Sequence, residues 1–422
     1  MSFDTALSGI RAASSDLSVV GNNISNSATT GFKSSRAEFA DVYYASSIGG
    51  MGANTVGQGV NLQAVTQQFS QGNISFTDNA LDLAINGSGF FQLNADGSRI
   101  YTRAGNFHVN SDGIVVNNQG YELMALGADN NGQITGTVGN IDLNTSYIDP
   151  QATTAVEGIF NLDSREVEPL MAWGGPFDAF ATPPTAPDPQ MYTSATSNTI
   201  YDSLGNAHTM STYFRKTANA NEWEAYTLID GVSATGPDTF AFDTNGRFDS
   251  ASLPVEISVA GWQPLDANGA ANGAAAQSFT IDLSESTQFG TDFAVNALSQ
   301  DGYTSGQLAS VDIDETGVIF ARYTNGQSQV LGQVVLANFP NIQGLQPLGN
   351  TSWAETYTSG APVVSTPATA GMGVIQAGAL EESNVDLTSE LVSLITAQRN
   401  FQANAQTIRT EDAVTQTIIN LR

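Results

Sequence analysis

Few residues in this chain could do chemistry, and their spacing argues against most of it. There is no cysteine, hence no disulfide, no thiolate nucleophile and no cysteine metal ligand. Two histidines, His108 and His208, leave little for zinc binding or imidazole base chemistry. His108 lies in NFHVNSDG and His208 in DSLGNAHTM, so each is assigned a strand or turn surface role. Gly31-Phe32-Lys33-Ser34 looks like the end of a phosphate-binding loop. Phe32 splits the Gly-Lys pair and the upstream glycine is missing, so Lys33 reads as solvated surface. NGSGF (Asn86–Phe90) lacks the third glycine of a dinucleotide fingerprint and reads as a turn between strands. DIDETG (Asp312–Gly317) begins like a calcium loop, but its twelfth position is Tyr323 where a bidentate Glu is needed; a hairpin turn fits better. No G-x-S-x-G nucleophile elbow occurs. With 41 acidic residues, some carboxylates will meet in space by chance, and their number alone indicates no acid–base pair. The reading is a protein that is not an enzyme, with no cofactor and no metal.

The elements around these residues carry more information. At 422 residues the chain allows two to four domains. Hydrophobic residues make up 41%, too many for a disordered chain. The net charge of −28 repels phosphate backbones and argues against nucleic acid as a partner. No segment approaches the ~20 apolar residues of a membrane span. The N-terminal MSFDTALSGIRAASSDL lacks the basic and apolar regions of a secretory signal, so the expectation is a cytosolic protein or one exported by another route. Arg11 is its only base, which argues against membrane-surface binding. Residues 1–154, 155–300 and 301–422 carry nets of −7, −14 and −7, so the middle third holds half the charge.

Both ends read as helices. Phe3, Leu7, Ile10, Leu17 and Ile24 fall on a 4-3 spacing, with Ser14 and Gly21 in the seam. Leu387, Leu391, Leu394, Phe401, Ala405 and Ile408 repeat it, drifting on to Val414, Ile418 and Leu421, with Asp386 as the expected N-cap. No Pro or Gly interrupts the second pattern, which suggests a coiled coil or assembly helix. Between the helices, short apolar runs such as LDLAI, GFFQL, GIVV and GQVVLA alternate with turn dipeptides: Asp96-Gly97, Asp112-Gly113, Asn131-Gly132, Asn245-Gly246 and Asn325-Gly326. This is the texture of all-β sandwiches or barrels. Gly174–Gln190 reads as loop, and Ile48–Gly59 as a flexible connector. If the two ends pair, such stripes could be buried between side-by-side copies in an open helical polymer.

The run LSGIRAASSDLSVVGNNISNSATTGFK (Leu7–Lys33) resembles the N-terminal motif of the bacterial flagellar rod and hook proteins, with Ser25 where the family usually has Ala. Ser383–Arg422 is similar to the matching C-terminal motif. LDLAINGSGFFQL and YTRAGNFHV resemble the family's shared β domain. Tyr201–Lys216, Gly332–Trp353 and the large inserted middle domain point to the hook branch; a straight distal rod protein is the alternative.

The resemblance implies a mainly β chain with helical termini paired as a coiled coil, and two or more nested all-β domains stacked outward. The implied divisions are 1-30 with 383-422 for helical assembly, 31-71 with 371-382 as connector, 72-154 with 301-370 as the shared β domain, and 155-300 as an outer acidic β domain. It implies a structural subunit that polymerises into a short curved tube, a universal joint carrying torque from rod to filament. Implied inner-layer residues are Phe3, Leu7, Ile10, Leu17, Ile24, Leu387, Leu391, Leu394, Phe401 and Ile408. Gly21, Asn22, Asn23, Asn26, Gly31, Phe32 and Lys33 would belong to the bend between helix and β domains. Implied partners are further copies of the chain, the distal rod protein, the cap, the junction protein, the length-control protein and the flagellar type III export apparatus. The implied location is the basal body and hook, reached by export without a signal peptide.

Overall fold

A computed structural model describes residues 3–42, 57–129, 132–143, 147–249 and 256–420. Most of the expected connector, Ile48 to Val56, lies outside these residues, as do Asn131 and Leu421. Two compact units form, one from 1–146, 309–322 and 328–422, the other from 147–308 and 323–327.

In the first unit, α1 (Phe3–Ser25) and α2 (Leu387–Asn420) are the terminal helices. Asp386 caps α2 as its side-chain type predicts: its Oδ1 accepts from the backbone N–H groups of Thr388 and Ser389 at 2.8 and 3.0 Å. A hairpin of Ser35–Asp41 and Val60–Gln67 follows α1. Two short ladders then join the halves of the chain. Ile74–Phe76 pairs with Ala379–Glu381, and Leu83–Asn86 with Val374–Ala377.

The β core explains why GFFQL is a continuous apolar run. Phe91 points into one cluster with Leu83, Leu93, Phe107, Leu336 and Ile375. Its neighbour Phe90 points into another with Tyr101, Phe339 and Trp353. A strand buried on both faces has no polar side to show. Tyr101 and Phe339 meet edge to face at 4.8 Å, and Phe90 and Trp353 at 5.6 Å; such pairs contribute ~0.5–1.5 kcal/mol beyond area burial. The turn dipeptides do what their chemistry allows. Asp96 and Gly97 both take positive φ between Phe90–Ala95 and Ser98–Thr102. Asp314 likewise closes a hairpin turn, its Oδ1 accepting from the N–H of Thr316 and of Val318.

The second unit packs a meander of Ser194–Tyr201, Ala207–Lys216, Glu222–Ile229 and Val232–Ala241 over a five-stranded sheet centred on Ala155–Asp163. Gly174–Gln190 contains neither helix nor strand. His108 is exposed on the strand Phe107–Val109. His208 is not at the surface as expected: it is buried, because Ala207–Lys216 alternates and His208, Met210, Thr212, Phe214 and Lys216 share its inward parity. The imidazole lies between two carboxylates, with Nδ1 2.6 Å from Asp230 Oδ2 and Nε2 3.3 Å from Asp202 Oδ2. Burial pushes the Asp202 carboxyl up, but hydrogen bonds from Asn206, Asn272 and His208 outweigh it and bring it down to about 2.

Candidate assembly site

The terminal helices are joined by small residues. Along α1, Ala6, Ala13 and Val20 are buried at intervals of seven. On α2, Ala397 is the buried residue, and a Cβ on Gly9 would lie 2.6 Å from Asn404 Oδ1. Further along, Asn23 Nδ2 donates to Glu390 Oε1 at 3.1 Å. Gly9 with Asn404 and Asn23 with Glu390 fix one antiparallel register, in which position i faces 413 − i. Close approach is what Ala and Gly permit, and larger side chains would hold the axes further apart.

The large residues of the expected stripe are only partly covered by this pairing. Phe3, Leu387, Leu391 and Phe401 are 52%, 48%, 50% and 37% exposed. Leu7, Ile10, Leu17, Ile24, Leu394 and Ile408 are half-buried. Val392 and Ile395, outside that stripe, are also exposed. An apolar flank of this extent, left open on a helix pair, is what a partner would cover.

The motif after α1 builds an elbow. Asn23 is buried and behaves like a strand neighbour: its Nδ2 donates to Ser35 O at 2.8 Å and its Oδ1 accepts from Ser35 N–H at 2.9 Å. Asn26 Nδ2 donates to Asn22 O at 2.9 Å, closing the last turn of α1. Gly31 has φ +69°, and a Cβ there would lie 2.5 Å from the Ala104 nitrogen, so only glycine fits. Asn22 is exposed, Phe32 is half-buried, and Gly21 is half-buried with open space around its Cα.

Lys33 is not solvated. Its side chain is fully buried, donating from Nζ to Glu381 Oε1 at 2.6 Å and to Ser70 O at 2.8 Å. Arg103 Nη1 donates to the other oxygen of Glu381 at 3.1 Å, and its Nη2 to Gly87 O at 2.8 Å. The Gly72 N–H also donates to Glu381 Oε1, at 2.9 Å. Burial lowers the Lys33 ammonium from its ordinary value; Glu381 opposes that shift and Arg103 adds to it. Asn384 completes the stitching: its Oδ1 accepts from Ser34 N–H and its Nδ2 donates to Gln68 O, both at 2.7 Å. One carboxylate thus ties the end of the N-terminal motif, the segment after the hairpin, and the strand leading into α2. Sequence reasoning missed Glu381, Arg103 and Asn384, which lie in otherwise ordinary strand or loop text. Ala6, Ala13 and Val20 were legible as a heptad but were passed over for larger neighbours.

Family models match along the chain: the flagella basal body rod protein at residues 3–33, the flagellar hook protein FlgE/F/G D1 domain at 84–155, the flagellar basal body protein FlaE D2 domain at 161–303, and the flagellar basal body rod FlgEFG protein C-terminal at 376–421. The chain is 38% identical over 431 residues to the flagellar hook protein FlgE of Escherichia coli, covering 100% of both chains. It is 39% identical over 432 residues to that of Salmonella typhimurium, again covering 100% of both. It is 32% identical over 473 residues to that of Treponema pallidum, covering 99% of this chain and 98% of the relative. A crystal structure of Helicobacter pylori flagellar hook protein FlgE2 superposes with a TM-score of 0.53 at 14% identity, over 73% of this chain and 100% of that one, a likeness of fold alone.

Proposed function

The chain belongs to the flagellar hook protein family and is a structural subunit, not an enzyme; from that premise we propose how its helices build the hook. Copies of the chain polymerise into a curved tube that acts as a universal joint between rod and filament. The inner layer consists of α1 and α2 from neighbouring copies, packed through Phe3, Leu7, Ile10, Leu17, Ile24, Leu387, Leu391, Leu394, Phe401 and Ile408. The observation that carries this reading is the small-residue seam. Ala6, Ala13, Val20 and Ala397 are buried within one chain while the large apolar residues beside them stay half-buried or exposed, and that uncovered surface is left for other copies. Each Leu or Phe so covered contributes ~1.5–3 kcal/mol. The elbow around Gly21–Lys33 then sets the direction of the helices relative to the hairpin and strands of their own unit.

Residues 1-30 with 383-422 are assigned to this layer, 31-71 with 371-382 to the connector, 72-154 with 301-370 to the shared β domain, and 155-300 to an outer domain. That outer segment's charge of −14 suits hydrated, exchangeable contacts, which a bending tube requires. The distal rod protein, the cap, the junction protein and the length-control protein are its proposed partners, and the flagellar type III apparatus its proposed export route.

Replacing Leu391 and Leu394 with Asp tests the inner layer. The variant should keep both units folded by circular dichroism yet form no tubes under negative stain; normal tubes would refute the assignment. Deleting residues 155–300 should leave a chain that still polymerises, into straighter or stiffer tubes. Loss of all assembly would place the outer segment in the lattice itself.

A further inference from the structure

Three turns of the second unit meet at one imidazole. His208 comes from the strand Ala207–Lys216 and is buried. Asp202 comes from the turn before that strand. Its side chain is fully buried, and its Oδ1 accepts from the N–H groups of Leu204 and Asn206 at 2.9 and 2.8 Å. Asp230 heads the Asp230-Gly231 turn between Glu222–Ile229 and Val232–Ala241, where both turn residues take positive φ. Its Oδ1 accepts from Thr209 N–H at 2.9 Å, which leaves Oδ2 for the ring. The third turn lies in residues 264–276. There Asn272 Nδ2 donates to Asp202 Oδ2 at 2.6 Å, and Ala275 N–H donates to Ser203 Oγ at 3.0 Å. Just before it, Trp262 meets the imidazole edge to face at 5.0 Å.

The number of protons on the ring decides what this arrangement does. Both ring nitrogens face carboxylate oxygens, Nδ1 at 2.6 Å from Asp230 and Nε2 at 3.3 Å from Asp202. A neutral imidazole has one N–H and one bare nitrogen, and only the imidazolium has two N–H groups. The imidazolium alone can therefore donate to both carboxylates. When the ring loses a proton, the remaining N–H stays on the shorter Asp230 contact. The bare Nε2 then faces the lone pairs of Asp202 Oδ2, and that side of the cluster repels. No further charge relieves it. Trp262 and Asn272 are uncharged, Asp266 of the third turn accepts from its own neighbours Asn268 and Ala270, and the ring makes no other ion pair or hydrogen bond among the described residues. We propose that His208 is a proton-operated latch within the second unit. With its proton it clamps the Asp202 and Asp230 turns and, through Asp202, the segment 264–276. Without it the Asp202 side opens and 264–276 loosens.

The direction follows from which form is clamped. The closed segment holds a proton that the opened one gives up. The clamp is therefore complete on the acid side of the ordinary histidine range near about 6.5 and is lost as pH rises through and above it. The inference does not depend on polymerisation and is tested on dilute full-length chain. Hydrogen exchange, corrected for the intrinsic effect of pH on the rate, compares about pH 6 with about pH 8.5. Protection of 201–209 and 264–276 should fall about tenfold or more at the higher pH, relative to 90–102 in the first unit. Asp230→Asn should abolish that fall. The amide Oδ1 still accepts from Thr209 N–H, and its Nδ2 can donate to a bare Nδ1 while Nε2–H donates to Asp202, so a neutral ring satisfies both sides. His208→Gln, which carries no titrating group, should abolish it too. Equal protection of the wild-type segments at both pH values would overturn the proposal. So would a full pH dependence surviving in either variant, which would place the titrating group elsewhere.

Discussion

Glu381 is the residue whose loss should tell most about the elbow. Among the described residues it is the only carboxylate paired with the buried Lys33 and Arg103, with all three side chains at most 7% exposed. Glu381→Gln removes the negative charge and keeps the volume. Two cations then remain buried with no anion, and Gln must turn one N–H toward a donor. Removing one partner of a buried pair costs about 3–5 kcal/mol. A domain is stable by about 5–15 kcal/mol, so about a fifth or more of the first unit's stability is at stake. Lys33→Met should cost less. It leaves Glu381 paired one to one with Arg103, and the orphaned groups are one lone pair on Glu381 and the Ser70 carbonyl. Hydrogen exchange read segment by segment is the assay. In Glu381→Gln, opening of 31–42, 60–76 and 374–384 should become easier by about 3–5 kcal/mol, while 194–241 in the second unit stays unchanged. An effect below about 1 kcal/mol, or a larger loss in Lys33→Met than in Glu381→Gln, would refute the reasoning, because the carboxylate would then not be what neutralises the site.

Two further outcomes follow from geometry. The Asp202 carboxyl is held at about 2, below its ordinary 3.8. A lowered folded-state value means stability that is fully present above pH 4 and lost as pH falls from there toward 2, to the extent of about 2 kcal/mol. Urea unfolding of the second unit across that range should show the loss, and Asp202→Asn should flatten it; an unchanged slope in the variant would remove Asp202 from the account. Gly31→Ala places a Cβ 2.5 Å from the backbone nitrogen of Ala104 at a φ of +69°. Backbone cannot give way as a side chain can, so the melting temperature of the first unit should drop by several degrees, as expected for about 1–3 kcal/mol; a shift under one degree would show that the elbow yields.

Elements set by local chemistry were legible in the sequence. The 4-3 spacing and Asp386 located both helices, and the Asp-Gly and Asn-Gly pairs located the turns, because each acts on its own few residues. The elbow was not legible. Lys33 and Glu381 are 348 positions apart, and a lysine between Phe32 and Ser34 carries no local mark of burial. The pairing of Ile74–Phe76 with Ala379–Glu381, with the Gly31 N–H donating to Glu381 O at 2.8 Å, brings the carboxylate to it. His208 was misplaced for a different reason. Its strand announces the inward parity through Met210 and Phe214, and extending that alternation by one pair would have placed it inside. The stripe of large residues, read as an assembly seam, is half-buried or exposed in the single chain, while the buried Ala6, Ala13, Val20 and Ala397 were overlooked because small side chains bury little area each.

That contrast bears on how a monomer and a polymer share one helix pair. In the register where i faces 413 − i, Phe3 stands opposite Thr410, so the stretch of α2 from 412 to 420 lies beyond the first described residue of α1. Val414, Ile418 and Ile419 are 49%, 63% and 66% exposed there. Isolated helix of this kind is marginal in water, and its persistence depends on packing. A seam of large side chains would have used the apolar surface inside one chain and left little to drive association. A seam of Ala6, Ala13, Val20 and Ala397 needs little apolar area to bring the axes together, and so the same pair can be defined in one copy while its Leu, Ile and Phe side chains remain to be covered by another. The elbow complements this. A lattice contact made at the far end of α2, about 50 Å along the helix from Leu387, can transmit direction to the unit only if the base of the helix is fixed, and Asn23, Asn384 and the Lys33–Glu381–Arg103 cluster fix it.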